Sequence, residues 1–220
     1  LGDKANVYDV AENVLAWLDD TPAGDRARTR FAFRYHGTIL EDAEFPRRFA
    51  AMWAALMAVG IDALGQTIGR SLTADDVEPV NWAQGQYAEQ LSASQYAMAL
   101  AAVGQYRRHV QGWWAEGWDL LLTPTLAAPP LAIGGLDGDQ GDGVDPANPM
   151  APSIRAGRFV AFTPQFNASG QPAINLPLHW NDAGLPIGVQ LVAAYGREDL
   201  LIRVASQLET AAPWADRHPT

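Results

Sequence analysis

A chain of 220 residues with 48% apolar side chains is long enough to bury a core, as one domain or two small ones, and too apolar to be disordered. Its formal net charge of −10, with Lys4 as the single lysine, excludes the basic face that nucleic-acid or anionic-membrane binding requires. With no cysteine there is no disulfide, thiolate zinc site or cysteine nucleophile, which fits a reducing, cytoplasmic location; no apolar run reaches the roughly 18 residues of a membrane span.

Asp9 and Glu12 form a capping-box pattern ahead of a helix over 9–18, with Val10, Val14, Trp17 and Leu18 on one face. A second helix is expected over 46–64. Pro46 suits its first turn, and Phe49, Met52, Trp53, Leu56, Val59 and Ala63 recur at helical spacing. The stretch 60–69 reads as less regular. Ser92, with Gln95 three residues on, opens a long helix reaching Gly117, its buried stripe being Tyr96, Leu100, Val103, Val110 and Trp114. Arg107, Arg108 and His109 lie in its second half, where cations suit the carbonyl end.

The character changes at Trp118. WDLLLTPT reads as a strand buried on both faces and ended by Pro124. Residues 134–149, rich in Gly and Asp, read as a surface loop. AINLPLHW (173–180) and GVQLVAA (188–194), joined by NDAGLPI, read as a hairpin. Glu198 and Asp199 then start a helix to about Thr210, with Leu200, Leu201, Val204 and Leu208 buried and Pro213 beyond its end. Strands mixed with helices indicate an α/β architecture. A helix-rich region, 1–117, is followed by a strand-rich region, 118–220, the two forming one structural unit.

Candidate chemistry is sparse. Ser71, Ser92, Ser94, Ser153, Ser169 and Ser206 are the serines, and none has the flanking glycines of a nucleophile elbow. Ser169, in NASGQP, is equally well a small residue before a tight Gly turn. His36, His109, His179 and His218 are scattered, with no metal-ligand spacing. His179 could face a pocket from its strand end, or bond to backbone. Counted from Asp137, the Asp–Gly loop puts Asp142 and Asn148 where an EF-hand needs Gly and Glu, so the motif fails. Asp19–Asp20 and Asp75–Asp76 mark helix ends, since adjacent side chains diverge. Trp113, Trp114 and Trp118 read as core, with a hydrophobic pocket as the alternative. Asn167, Gly170, Pro172 and Gly184 shape backbone, and Gln190, a polar residue inside an apolar strand, needs a partner if buried.

The order and spacing of LLLTPT (120–125), FTPQFNASGQPAINLP (162–177), GLPIGVQLV (184–192) and EDLLIRVASQLE (198–209) resemble the C-terminal part of the amidase signature family. The tail ETAAPWADRHP resembles the ending of bacterial amidases related to nylon-oligomer and acyl-amide hydrolases. The resemblance implies the C-terminal part of a mixed β-sheet flanked by helices, and thus a partial domain. It implies an amidase in which one serine attacks the amide carbonyl, a second serine with a cis peptide relays the proton and a lysine is the base. The segments bearing those groups have no counterpart here, so no catalytic residue is assigned and the chain alone is expected to be inactive. Residues 1–117 are expected to line the substrate pocket, and Trp53, Phe162 and Asn167 are the substrate-binding candidates. No metal or organic cofactor is implied. The implied partners are a small-molecule amide substrate, the missing N-terminal portion or a companion chain, and a second copy in a homodimer, with neither nucleic acid nor membrane. Two other readings stand beside this one: a non-catalytic binding or scaffold subunit of the same fold, and a glutaminase-like subunit of an amidotransferase.

Overall fold

The computed structural model describes residues 31–32, for which only the backbone is considered, together with 45–136 and 148–219. The capping pattern at Asp9, the Asp19–Asp20 pair, Lys4, His36 and most of the Asp–Gly loop lie outside the described residues. In chain order the elements are β1 (Phe31–Ala32), α1 (Phe45–Ile68), a 3-10 turn (Ala74–Asp76), α2 (Pro79–Glu89), α3 (Ala93–Trp114), β2 (Leu120–Pro124), α4 (Ala151–Phe159), α5 (Pro164–Ser169), β3 (Ala173–Trp180), β4 (Pro186–Ala193) and α6 (Glu198–Ala211). They fall into two compact units that interleave along the chain. Among the described residues, one holds 31–32, 107–131 and 159–219, the other 45–106, 132–136 and 148–158.

The first unit holds the sheet, in the order β1-β2-β4-β3. β1 runs parallel to β2, whereas β2–β4 and β4–β3 are antiparallel. The expected hairpin is present, with β4 starting at Pro186, two residues before the apolar run suggests. Its turn is held by Asn181, whose Oδ1 accepts from the N–H groups of Ala183 (3.1 Å) and Leu185 (2.9 Å). Gly184, at φ 71°, supplies the left-handed residue that the turn needs. All of β2 is buried, as LLLTP implied, and Pro124 is its last residue.

Alternation gives the sheet two different faces. Leu120, Leu122, Leu176, Val189, Leu191 and Ala193 meet Leu201, Val204, Ala205 and Leu208 of α6 in one apolar cluster. Thr123, Gln190 and Asn175 lie in register across the other face. Trp113 and Trp114 are buried, edge to face at 5.0 Å, and Trp113 stacks on Trp118 at 5.5 Å. That is the core reading of the Trp cluster.

In the second unit, α1 packs on α2. Ala51, Ala54 and Gly65 are buried on α1, and a Cβ at Gly85 of α2 would stand 2.9 Å from Ile61 Cδ1. Three features differ from the sequence reading. α1 continues through 60–68 and stops at Gly69, at φ 77°, because no residue before Gly69 forces a break. α1 is also long and apolar enough, by length and composition, to cross a membrane, with a window of mean hydropathy 1.4. Its alanines and glycines raise that average although Asp62 and Gln66 interrupt any unbroken apolar run. In α3, Ser92 and Gln95 do form the reciprocal cap (2.8 and 3.2 Å), but Leu100 of the expected stripe is exposed and Tyr106 is buried instead.

Asp76 closes a local knot rather than merely marking a helix end. It accepts from Arg70 Nη1 (2.8 Å) and Nη2 (2.6 Å), and from Thr73 N–H and Oγ1–H. The Arg70 guanidinium, with the Thr73 groups, holds its carboxyl well below the usual carboxylate range. The pair's contribution is therefore present above the unfolded value near ~3.9 and is lost as pH falls from there through the folded pKa. An NMR titration should find the Asp76 carboxyl ionised far below ordinary carboxylates, and Arg70→Gln should bring it back up. A second outcome concerns the sheet. Leu191, at 0% exposure, should cost about 2–5 kcal/mol as Leu191→Ala in denaturant unfolding. Leu56→Ala, on an exposed part of α1, should stay within about 0.5 kcal/mol of the parent.

Candidate functional site

The segment between Val160 and Pro172 lies against the polar face of the sheet. Pro164 suits the first turn of α5, where its missing N–H is not needed. Gly170 ends the helix at φ 78°, its N–H donating to Phe166 O at 2.8 Å. The sequence signalled a turn here but not the short helix before it. Phe166 and Ser169 are buried and anchor that helix. The chain then enters β3, with Ala193 N–H donating to Pro172 O at 3.1 Å.

Gln190 ties this segment to the sheet. Its carboxamide is 5% exposed, and Nε2 donates to Thr123 Oγ1 (2.9 Å) and to the Phe162 carbonyl (3.0 Å). The need for a partner was legible in the sequence; its identity, two elements away, was not. One register step along, the Thr125 hydroxyl donates to Asn175 Oδ1, and Thr125 N–H donates to Gly188 O at 3.1 Å. A Cβ at Gly188 would lie 2.7 Å from Thr125 Oγ1, so only glycine leaves room for that pair.

Of the three substrate-binding candidates, Phe162 and Asn167 share this segment. The Phe162 side chain is half-buried, and Asn167 is exposed within α5 with helical rather than left-handed backbone. Trp53 belongs to the other unit. It is 40% exposed, stacks on Phe49 at 5.8 Å, and donates from Nε1 to Gln84 Oε1 at 3.2 Å. Gln84, buried on α2, in turn donates to Ser153 Oγ at 3.1 Å, a linkage that no sequence pattern announced. An open groove of about 480 Å³ lies in that unit, lined by Ile61, Asp62, Arg70, Trp82 and Glu89 among others; Trp53 is not part of its wall.

Arg107 sits at a corner of the sheet unit. Its guanidinium lies 5.3 Å from the Tyr195 ring centroid, and Nη2 would be 3.3 Å from a Cβ on Gly170. A cation there complements the carbonyl end of α5. Among the described residues no serine hydroxyl bonds to a histidine, and no group of His, Asp and Glu has metal-binding geometry. Ser169 Oγ, both polar atoms of the Gln171 side chain and Gln165 Oε1 are buried without a partner among the described residues.

The architecture is that of an α/β scaffold, and comparison with known proteins gives its family. The family model described as Amidase matches residues 28–202. The chain belongs to the amidase signature family. It is 42% identical over 180 residues to the 6-aminohexanoate-cyclic-dimer hydrolase of Pseudomonas sp. (strain NK87), covering 82% of this chain and 36% of that protein. It is 30% identical over 171 residues to the putative amidase AmiC of Mycobacterium leprae, covering 78% and 34%. The solved structure of 6-aminohexanoate cyclic dimer hydrolase superposes with a TM-score of 0.73 at 38% identity, over 86% of this chain and 39% of that one. A shorter stretch of 53 residues is 49% identical to a glutamyl-tRNA(Gln) amidotransferase component of Cyanothece sp., covering 24% and 11%. The chain thus spans about a third of the length of the curated relatives it matches.

Gly170→Ala should lower stability by about 1–2 kcal/mol, because its left-handed conformation penalises any Cβ. Circular dichroism melts should show that loss. Gly157→Ala, where a Cβ meets open space inside α4, should leave the melt unchanged or raise it.

Proposed function

We propose that this chain is the C-terminal portion of an amide hydrolase whose nucleophile and base are supplied by residues outside it. The observation that carries the reading is the family match together with its extent: 82% of the chain aligns with a 6-aminohexanoate-cyclic-dimer hydrolase, and only 36% of that protein is represented. In the family's scheme a serine adds to the carbonyl, a second serine relays the proton to the leaving amine, and a lysine serves as base. The single lysine, Lys4, does not stand in that lysine's sequence context, and no Gly/Ser-rich run occurs in the sequence.

The buried atoms of Gln165, Ser169 and Gln171 that have no partner among the described residues support the same reading. Each such atom costs on the order of 1–3 kcal/mol when left unpaired. Concentrated in one signature segment, they suit a site that is completed by further polar groups. Phe162 and Asn167 are proposed to face substrate from this segment, and Trp53 is proposed as a pocket residue of the helical unit. The substrate is proposed to be a linear or cyclic carboxamide, taken without metal or organic cofactor. The glutaminase-like alternative has a match over 24% of the chain in its favour, against 82% for the hydrolase.

The purified chain, given aryl acylamides and the 6-aminohexanoate cyclic dimer, should show no turnover above background and no labelling by a serine-directed fluorophosphonate. Co-expression with the part of the Pseudomonas hydrolase that this chain does not match should restore both. Robust turnover and covalent labelling of the chain by itself would overturn the proposal.

A further inference from the structure

A primary carboxamide can donate two hydrogen bonds from one nitrogen, and Gln190 uses both on different elements. One goes to Thr123 of β2, its register partner, and one to the Phe162 carbonyl in the loop entering α5. Gln190 and Thr123 are both buried, and the bond to Phe162 O is partly so. Phe162 O lies at the head of the segment that carries Asn167 and Ser169 and ends at Gly170. That segment is short, and a six-residue helix has little stability of its own.

We infer that Gln190 is a positioning residue: its carboxamide clasps the Phe162 carbonyl and so fixes the 162–170 segment at a set height over the polar face of the sheet. Thr123 orients the clasp. The Asn175–Thr125 pair, accommodated by Gly188, continues the polar surface toward β3. The clasp stands on geometry alone; only its purpose, holding a substrate-facing segment, rests on the amide-hydrolase reading.

Hydrogen exchange of the whole chain, read by mass spectrometry, separates a clasp from a filler. Gln190→Met keeps an unbranched side chain of similar volume but donates nothing. Amides in 162–170 should then exchange about tenfold faster or more, while the β3–β4 ladder keeps its protection. Gln190→Glu should behave in two ways. Burial raises its carboxyl above the ordinary range, and the protonated form donates to Phe162 O while the ionised form cannot. Its contribution is therefore fully present below the unfolded value near ~4.3 and is lost as pH rises through the folded pKa. Protection at 162–170, corrected for intrinsic exchange, should be near the parent at about pH 5 and lost at about pH 8. Parent-like protection in Gln190→Met overturns the clasp. If Gln190→Met does not fold, the glutamate variant decides, and protection that does not change with pH overturns it.

In the reconstituted hydrolase, Gln190→Met should lower kcat by roughly 10–100-fold with little change in KM, as expected when a reacting geometry is misplaced. An equal rise in KM with unchanged kcat overturns the positioning role. Loosened exchange without turnover in any reconstituted form leaves the clasp standing and removes the amide-hydrolase reading, so the two fail separately.

Discussion

A strand buried on both faces constrains everything around it. β2 has no solvent on either side, so each of its side chains must find either apolar contact or a hydrogen-bond partner. Leu120 and Leu122 meet α6 on one face. Thr123, pointing the other way, has to meet a polar group, and Gln190 of β4 is the residue that the register places opposite it. Once Gln190 is committed there, its second hydrogen reaches the Phe162 carbonyl. The path of the chain from Phe162 into β3 follows from that sequence of requirements. One strand's isolation from water thus calls for aliphatic contact on one face and, at Thr123, a hydrogen-bond partner on the other.

The parts legible in the sequence were those governed by local rules. Ser92 and Gln95 announced the start of α3 because a capping box is confined to four residues. LLLTP announced a doubly buried strand, and Glu198–Asp199 with the leucine spacing announced α6. The parts not legible were decided by distant partners. α2 carries little apolar periodicity, and its place depends on Gly85 admitting Ile61 of α1. α5 is a helix of six residues sealed by Phe166, Ser169 and the Gly170 cap, so its signal was read as a turn alone. Leu100 obeyed the helical period and still lies outside, while Tyr106, off the expected stripe, packs tilted against Phe45 with ring centroids 4.4 Å apart.

The site was legible to a different degree. The polarity of Gln190 in an apolar strand was a sound signal because a buried amide must bond, whatever the fold. Its partners were beyond reach, because the Phe162 carbonyl is a backbone group and backbone groups carry no sequence mark. Trp53 drew notice as a large aromatic on a helix; the Gln84–Ser153 linkage that restrains it joins residues 69 apart and leaves no local pattern.

Two faces of α1 show why composition cannot settle such questions alone. One face carries Ala51, Ala54 and Gly65, all buried. Another carries Trp53, Leu56, Leu64 and Ile68, all substantially exposed. Small residues permit contact where large ones would hold helices apart, so the less hydrophobic face is the packed one. Helical spacing groups Phe49 through Val59, yet Phe49 and Met52 are half-buried while Leu56 and Val59 are exposed, because packing follows shape once both faces are apolar. The sheet unit works by the opposite rule. There polarity, carried by Thr123 and Gln190, decides which face meets the signature segment, and large aliphatic side chains decide which face meets α6.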